Sequence, residues 1–247
     1  MHRFFVSRDN IKGREAFIDK EEAHHIQKVL RLKEGDRITL FDGQGWEYYA
    51  FLQGVRDKKL VAWIEEAQKV DNEPPFRVNL VQGIPKGDKM ELIIQKAVEL
   101  GVYSIYPVLT ERTVVTLKGE KETRKVERWR QIALEACKQC RRNIIPEIKP
   151  VISLRDMLEL IAGKPALMFY ENEQYNGIKK VLQENRDKIK EEVFLLVGPE
   201  GGFAPGEADL AREKGIILCR LGPRILRTET ASLAGISIIL YELGDLG

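Results

Sequence analysis

Hydrophobic positions change their spacing once along this chain, near residue 70. Before that point, short runs rich in β-branched and aromatic residues alternate with turn residues, so 3–6, 37–41, 47–52 and 59–64 read as strands. Asp42-Gly43-Gln44-Gly45 reads as a turn, and 21–30 as the single helix of a small, mostly β module. Polar residues and two prolines at 71–75 then interrupt the pattern, as a short linker does. From Arg77 onward strand-like and helical patterns alternate: 78–84, 89–100, 105–109, a long helix over 122–142, 166–170, 178–187, 193–197 and 216–221. This alternation predicts an α/β domain on a parallel sheet. The strand-like runs are continuously apolar, as strands covered on both faces are. In the last helix, 231–243, Leu233, Ile236, Ile238, Ile239, Leu240 and Leu243 cover much of the circumference, which predicts burial on more than one side. The expected domains are 1–72 and 73–247, with no internal repeat or low-complexity segment.

The last two strand-like runs each end in a glycine-containing loop: GPEGGFAPGE from Gly198 to Glu207, and LGPRILRTETA from Leu221 to Ala231. Parallel strands send both loops out at the same sheet edge, where open α/β folds place ligands. Gly198, Gly201 and Gly202 are expected to supply positive φ and to let a ligand approach the backbone. Pro205 suits the first turn of the helix after the first loop, with Glu207 and Asp209 beside its positive end; Thr228 or Thr230 is expected to cap the helix after the second. No G-x-G-x-x-G follows a strand and no G-x-x-x-x-G-K-[ST] occurs, so the usual phosphate cradles are missing. Glu200, Glu207 and Glu229 would repel a polyphosphate, whereas a neutral or cationic nucleoside fits. Ordinary tight turns account for either loop taken alone.

Charge and cysteine usage narrow the classes further. The chain carries 40 Lys and Arg against 38 Asp and Glu, so it is not basic as a whole. Only the segment 118–149 is, with basic residues outnumbering acidic ones two to one, including Lys138, Arg141 and Arg142; an RNA-facing surface and a solvated helix face both explain such a run. No apolar stretch reaches the length of a membrane span and no signal-peptide core precedes the module, which predicts a cytoplasmic protein without a membrane partner. Three cysteines do not make a disulfide framework. Cys137 and Cys140 have metal-site spacing, but Cys219 and the three histidines, His2, His24 and His25, lie far off in sequence, so four zinc ligands are not assembled. The pair reads instead as helical residues one turn apart, beside a face of Trp129, Ile132, Ala133 and Ala136, and no metal is expected.

Taken in order, the two loops resemble the C-terminal signature of the SPOUT superfamily of S-adenosylmethionine-dependent RNA methyltransferases. Within it, the chain is similar to the RsmE family, which methylates N3 of a uridine in 16S ribosomal RNA. The resemblance covers almost the whole chain, through RFFV at 3–6, HHIQKVLRLKEGD at 24–36, KGDKMELIIQKAVELGV at 86–102 and EACKQCRRNIIPEI at 135–148. It implies a PUA-like β-barrel before the linker and, after it, a SPOUT domain whose chain forms a deep trefoil knot around the cofactor. It also implies a homodimer, with 16S RNA or the assembled small ribosomal subunit as partner.

Carried over to this chain, Gly198, Pro199, Glu200, Gly201 and Gly202 would form one wall of the S-adenosylmethionine pocket. Leu221, Gly222, Leu226, Arg227, Thr228, Glu229, Thr230 and Ala231 would form another, with residues 169–172 as a third. Methylating uracil N3 requires loss of its proton, so Arg227 is the expected stabiliser of the uracil anion, and Glu229 or Glu200 the candidate base. Glu229 equally suits a carboxylate that favours the helix dipole. Arg8, Lys28 and Arg31, with Lys28 and Arg31 one helical turn apart, join Lys138, Arg141 and Arg142 as RNA-contact candidates. The family pattern has a smaller residue where Arg141 and Arg142 stand adjacent, which leaves open which arginine reaches RNA. Two rival readings remain: a noncatalytic RNA-binding or ribosome-assembly protein of the same fold, and an α/β enzyme acting on a small nucleotide.

Overall fold

The computed structural model describes residues 2–115 and 119–247; Lys118, the first residue of the basic segment, lies outside them. The chain divides into two compact units, Met1–Glu73 with Cys137–Ile145, and Pro74–Ala136 with Pro146–Gly247.

The first unit is built on strands β1 (Arg3–Phe5), β2 (Ile11–Lys12), β3 (Glu15–Ile18), β4 (Arg37–Phe41), β5 (Trp46–Arg56) and β6 (Lys59–Lys69), with helix α1 (Lys20–His24) between β3 and β4. Their order is β1-β4-β5-β6-β3-β2, and only β1 and β4 run parallel. Phe4 from β1 and Ala16 and Ile18 from β3 share one buried cluster with Ile38, Leu40, Ala50, Leu52 and Ala62, so the sheet curls around a single core. β5 and β6 are longer than the sequence pattern predicts. Asp57 and Lys58 join them with φ of 50° and 65°, the two left-handed residues that a tight hairpin twist requires. The single helix expected at 21–30 is α1 followed by a π-helical turn, His25–Val29, closed by the Leu30 N–H on the His25 carbonyl. Arg31 lies beyond it at φ 56°, so Lys28 and Arg31 are not a helical pair.

Residues Cys137–Ile145 complete this unit through Arg3. Its guanidinium lies 3.7 Å from the Phe41 ring centroid and donates to the carbonyls of Cys137 (2.9 Å) and Arg142 (2.8 Å) and to Asn143 Oδ1 (2.5 Å). Burial lowers the Arg3 pKa from its ordinary value, an effect partly offset by Glu47.

The second unit holds the expected parallel sheet. Its strands are β7 (Arg77–Gly83), β8 (Ser104–Leu109), β9 (Glu147–Ile148), β10 (Ile152–Ser153), β11 (Ala166–Phe169), β12 (Glu192–Val197) and β13 (Ile217–Cys219), and the helices that follow α1 along the chain are α2 (Lys89–Leu100), α3 (Glu120–Cys140), α4 (Leu154–Leu160), α5 (Ile178–Glu184), α6 (Pro205–Glu213) and α7 (Thr228–Leu243). The order is β10-β8-β7-β12-β11-β13, with β9 also on β8, and every pairing is parallel. Alternation along the strands sorts the two faces. Val81, Met168, Phe194 and Leu196 pack against α4 (Leu154–Leu160) and α6 (Pro205–Glu213). Leu195 and Phe169 face α7 (Thr228–Leu243), where a Cβ on Gly235 would lie 2.8 Å from Leu195 and 2.6 Å from Phe169. The helix seats this deeply because that position has no side chain. On α7 the buried positions are Thr228, Ala231, Ser232, Gly235, Ile236, Ile239 and Leu240, one face of the helix. Leu233, Ala234 and Ile238 are only partly buried and Tyr241 is exposed, so within one chain burial all round is not reached.

Candidate cofactor pocket and basic surface

β11 pairs with both β12 and β13, so the three strands end side by side at Phe169, Val197 and Cys219. The loops that follow enclose a cavity of about 620 Å³, within the usual range for small-ligand sites. Gly198, Pro199, Glu200 and Gly202 line it from the first loop; Leu221, Gly222, Leu226, Arg227, Thr228 and Ala231 line it from the second. Phe169, Tyr170 and Glu171 form the third wall, and Asn172 does not take part.

Three expected residues do not face this cavity. Gly201 packs on Arg112, whose guanidinium donates to the Gly201 carbonyl at 2.6 Å. Thr230 is exposed, and Glu229 turns toward Lys89 Nζ, 4.0 Å away. Helical geometry separates them: at about 100° per residue, Thr228 and Ala231 share a face that Glu229 and Thr230 leave. Glu229 Oε2 is buried with no hydrogen-bond partner among the described residues.

The glycines act differently from expectation. Only Gly202 (φ 67°) and Gly222 (φ 101°) among the loop glycines are left-handed. Gly198 is needed for space, since its Cβ would lie 2.9 Å from the Gly202 carbonyl carbon. Gly83, at the end of β7, is equally tight, its Cβ position 2.7 Å from Pro199 N. α6 does begin at Pro205, and Glu207 is committed there: its carboxylate accepts from the N–H groups of Ala204 and Glu111, each at 2.8 Å. Neither threonine caps α7. The cap position is Arg227, whose guanidinium has no acceptor to offer the free N–H groups, and the Thr228 hydroxyl is used elsewhere.

That use is a buried polar network which no sequence pattern signalled. Gln82, fully buried on β7, donates to the Gly83 carbonyl (2.8 Å) and to Thr228 Oγ1 (3.0 Å). Thr228 Oγ1 donates onward to the Gly198 carbonyl (2.6 Å). Ser232 Oγ lies 2.5 Å from Gln82 Oε1 and 2.9 Å from the Thr228 carbonyl. One amide thus ties the first loop to the start of α7, joining two cavity walls that are distant in sequence.

Sequence reasoning also missed Lys89, Phe203, Arg220, Pro223, Arg224 and Ile225 as cavity-lining residues. Lys89 begins α2 (Lys89–Leu100) and donates to Glu200 Oε1 at 2.8 Å, while the Lys86 N–H reaches both Glu200 oxygens at 3.2 Å. Burial would raise the Glu200 pKa, but the Lys89 bond and the backbone N–H groups outweigh it and hold the carboxyl below its ordinary value. The signal for Lys89 was its place in the 86–102 motif. Cys219, also on the cavity wall, is a buried thiol pushed up to about 12 by burial and then by Glu173.

All six basic candidates fall in the first unit. Arg8, Lys28, Arg31 and Arg141 are exposed. Lys138 pairs with Glu22, and Arg142, only 5% exposed, pairs with Glu73. Those two cations are neutralised inside the unit, which leaves Arg141 as the outward member of the arginine pair. Among the described residues no group of His, Cys, Asp or Glu could hold a metal ion, and no helix is long and apolar enough to cross a membrane.

Comparison with known proteins identifies this arrangement. Residues 72–240 match the RNA methyltransferase domain family and residues 18–64 the RNA methyltransferase PUA domain. The chain belongs to this family and is an RNA methyltransferase. It is 36% identical to the Ribosomal RNA small subunit methyltransferase E of Bacillus subtilis, covering 98% of this chain and 97% of that protein. The enzyme of the same name from Aquifex aeolicus is also 36% identical, over 97% of this chain and 99% of its own. Among solved structures, the Ribosomal RNA small subunit methyltransferase E of Neisseria gonorrhoeae bound to S-adenosylmethionine superposes with a TM-score of 0.88 at 33% identity, covering 100% of both chains. A putative methyltransferase of Legionella pneumophila with bound S-adenosylmethionine gives 0.84 at 31% identity, over 99% of this chain and 98% of its own. The motif resemblance is therefore a family membership.

Proposed function

We propose that this protein transfers the methyl group of S-adenosylmethionine to N3 of a uridine in the 16S RNA of the small ribosomal subunit. The observation that carries the reading is the cavity of about 620 Å³ between the two glycine loops, in a chain whose relatives hold S-adenosylmethionine. The residues suit that cofactor. Gly198 and Gly202 give close backbone approach, no polyphosphate cradle is present, and the exposed Glu171, without an ion pair among the described residues, supplies negative charge for a cation.

When bound, the cofactor supplies a methyl carbon activated by a positive sulfur. The chain's own task is to present uracil as a nucleophile. Arg227, exposed on the cavity wall, lowers the cost of the N3 anion by placing a fixed positive charge beside its oxygens. With the anion so stabilised, the N3 lone pair is the nucleophile to which a bound cofactor would supply its methyl group, and 3-methyluridine would be the product. Glu229 is the candidate acceptor for the N3 proton. It points at Lys89 rather than into the cavity, so this role requires its side chain to rotate, and Arg227 is the better supported of the two.

The exposed Arg8, Lys28, Arg31 and Arg141 are the phosphate contacts of the PUA unit in this reading. The outward face of α7, with Leu233, Ile238 and Tyr241, is the surface a second copy covers, and the protein acts in the cytoplasm, where ribosomal subunits mature. The Gln82 tie between the first loop and α7 is where the trefoil knot of the SPOUT fold would close.

Methyl transfer from labelled S-adenosylmethionine to small subunits lacking the modification, followed by digestion and mass spectrometry, tests the proposal. A 3-methyluridine product is expected. RNA affinity without cofactor affinity would favour the noncatalytic RNA-binding alternative, and transfer to another atom would overturn the assignment to N3.

A further inference from the structure

The wall of the cavity carries cations that no acidic side chain offsets among the described residues. Arg220, Arg224 and Arg227 are all exposed and all line the cavity, and none of their side chains has a hydrogen bond or ion pair among the described residues. Lys89, in the same cavity, is by contrast committed to Glu200. Between Arg224 and Leu226 stands Ile225, which is 85% exposed. A single exposed apolar residue needs no explanation. An aliphatic side chain at the tip of a loop flanked by uncompensated arginines, over a nucleoside-sized cavity, is a different case.

Resting on the methyltransferase reading above, we propose that the 220–227 loop is the strand-gripping element of this enzyme. Arg220 and Arg224 hold the phosphates flanking the target uridine, and Ile225 packs into the base stack that the uridine has left. The chemistry demands such a device. Uracil N3 lies on the Watson–Crick edge, so a paired or stacked base cannot present it to a methyl donor held in a cavity and must first be extruded. Apolar wedges beside arginines serve this purpose in other nucleic-acid proteins, where the wedge replaces lost stacking and the cations fix the backbone.

The test uses full-length protein carrying Arg220→Ala, Arg224→Ala or Ile225→Ala, all at exposed positions. Three quantities are measured: S-adenosylmethionine affinity by calorimetry, binding of unmethylated small subunits across a salt series, and methyl transfer. Each arginine variant is expected to flatten the slope of log affinity against log salt by roughly one unit, with a smaller change in S-adenosylmethionine affinity than in subunit affinity. Ile225→Ala is expected to keep that slope and lose transfer rate on the subunit, while retaining it on a short unstructured uridine-containing RNA. If the arginine variants weaken S-adenosylmethionine binding and leave the salt slope intact, the arginines belong to the cofactor and the proposal fails. Equal rate loss on both RNAs for Ile225→Ala overturns the wedge. Failure of the parent protein to transfer methyl would instead refute the underlying function, and the salt slopes would still decide whether these arginines grip RNA.

Discussion

Replacing Gln82 by Leu removes a single buried amide from the junction of the two cavity loops and leaves the side-chain volume nearly unchanged. Three short hydrogen bonds disappear, to the Gly83 carbonyl at 2.8 Å, to Thr228 Oγ1 at 3.0 Å and from Ser232 Oγ at 2.5 Å, together with a long, weak one to the Val197 carbonyl at 3.5 Å. The Ser232 hydroxyl retains the Thr228 carbonyl, and Thr228 retains Gly198, so the losses fall on the Gly83 carbonyl and on the acceptor side of Thr228. At about 1 kcal/mol net per bond the change comes to about 3 kcal/mol. The added apolar contact of Leu offsets little, because the site is lined by hydroxyls and carbonyls. For a domain of this size that corresponds to a fall in Tm of roughly 6–12 °C. The geometry also predicts weaker S-adenosylmethionine binding, by about tenfold for each 1.4 kcal/mol of loop distortion, since Gly198 is held through the same network. Thermal unfolding and calorimetric titration of the variant read both effects, and Gln82→Glu keeps the shape while changing the donor. A stability change under about 0.5 kcal/mol together with parental cofactor affinity would refute the claim that this network sets the loops.

Three other outcomes follow from specific contacts. Arg3→Lys keeps the charge but cannot fork to the Cys137 and Arg142 carbonyls and Asn143 together, so it should cost about 2–3 kcal/mol and speed amide hydrogen exchange selectively across 137–145. The Glu200 carboxyl lies below its ordinary pKa in the folded protein, so its contribution is present above the unfolded value of about 4.3 and is lost as pH falls through the folded one. Glu200→Gln should therefore flatten the acid limb of the stability–pH curve, and an unchanged limb would show that the Lys89 contact carries no linkage. With Cys137 and Cys219 each pushed up to about 12 by burial, native protein at pH 8 should alkylate first at the partly exposed Cys140, with the other two reacting only on unfolding, as mass spectrometry of the modified peptides would report.

The parallel sheet and the two cavity loops were legible in the sequence, because strands covered on both faces must be continuously apolar and loops that follow such parallel strands leave at one sheet edge. Lys138 and Arg142 were legible only as charge: their partners, Glu22 and Glu73, lie more than a hundred and nearly seventy residues away, and no local pattern encodes an ion pair across that distance. The same reason hid the role of Arg3, whose carbonyl and Asn143 acceptors stand beyond residue 136, and the return of 137–145 to the first unit. Glu229 and Thr230 were placed in the pocket because the motif runs through them without a break. The helix that starts at Thr228 turns about 100° with each residue, and only folding decides which side chains it aims inward. Composition and spacing determined the kinds of element this protein builds and the chemistry its loops could hold. Which side chains face the cavity, and that Gln82 joins its walls, was decided by tertiary structure, because a buried hydrogen bond depends on where two strands end in space and not on how far apart they lie in the chain.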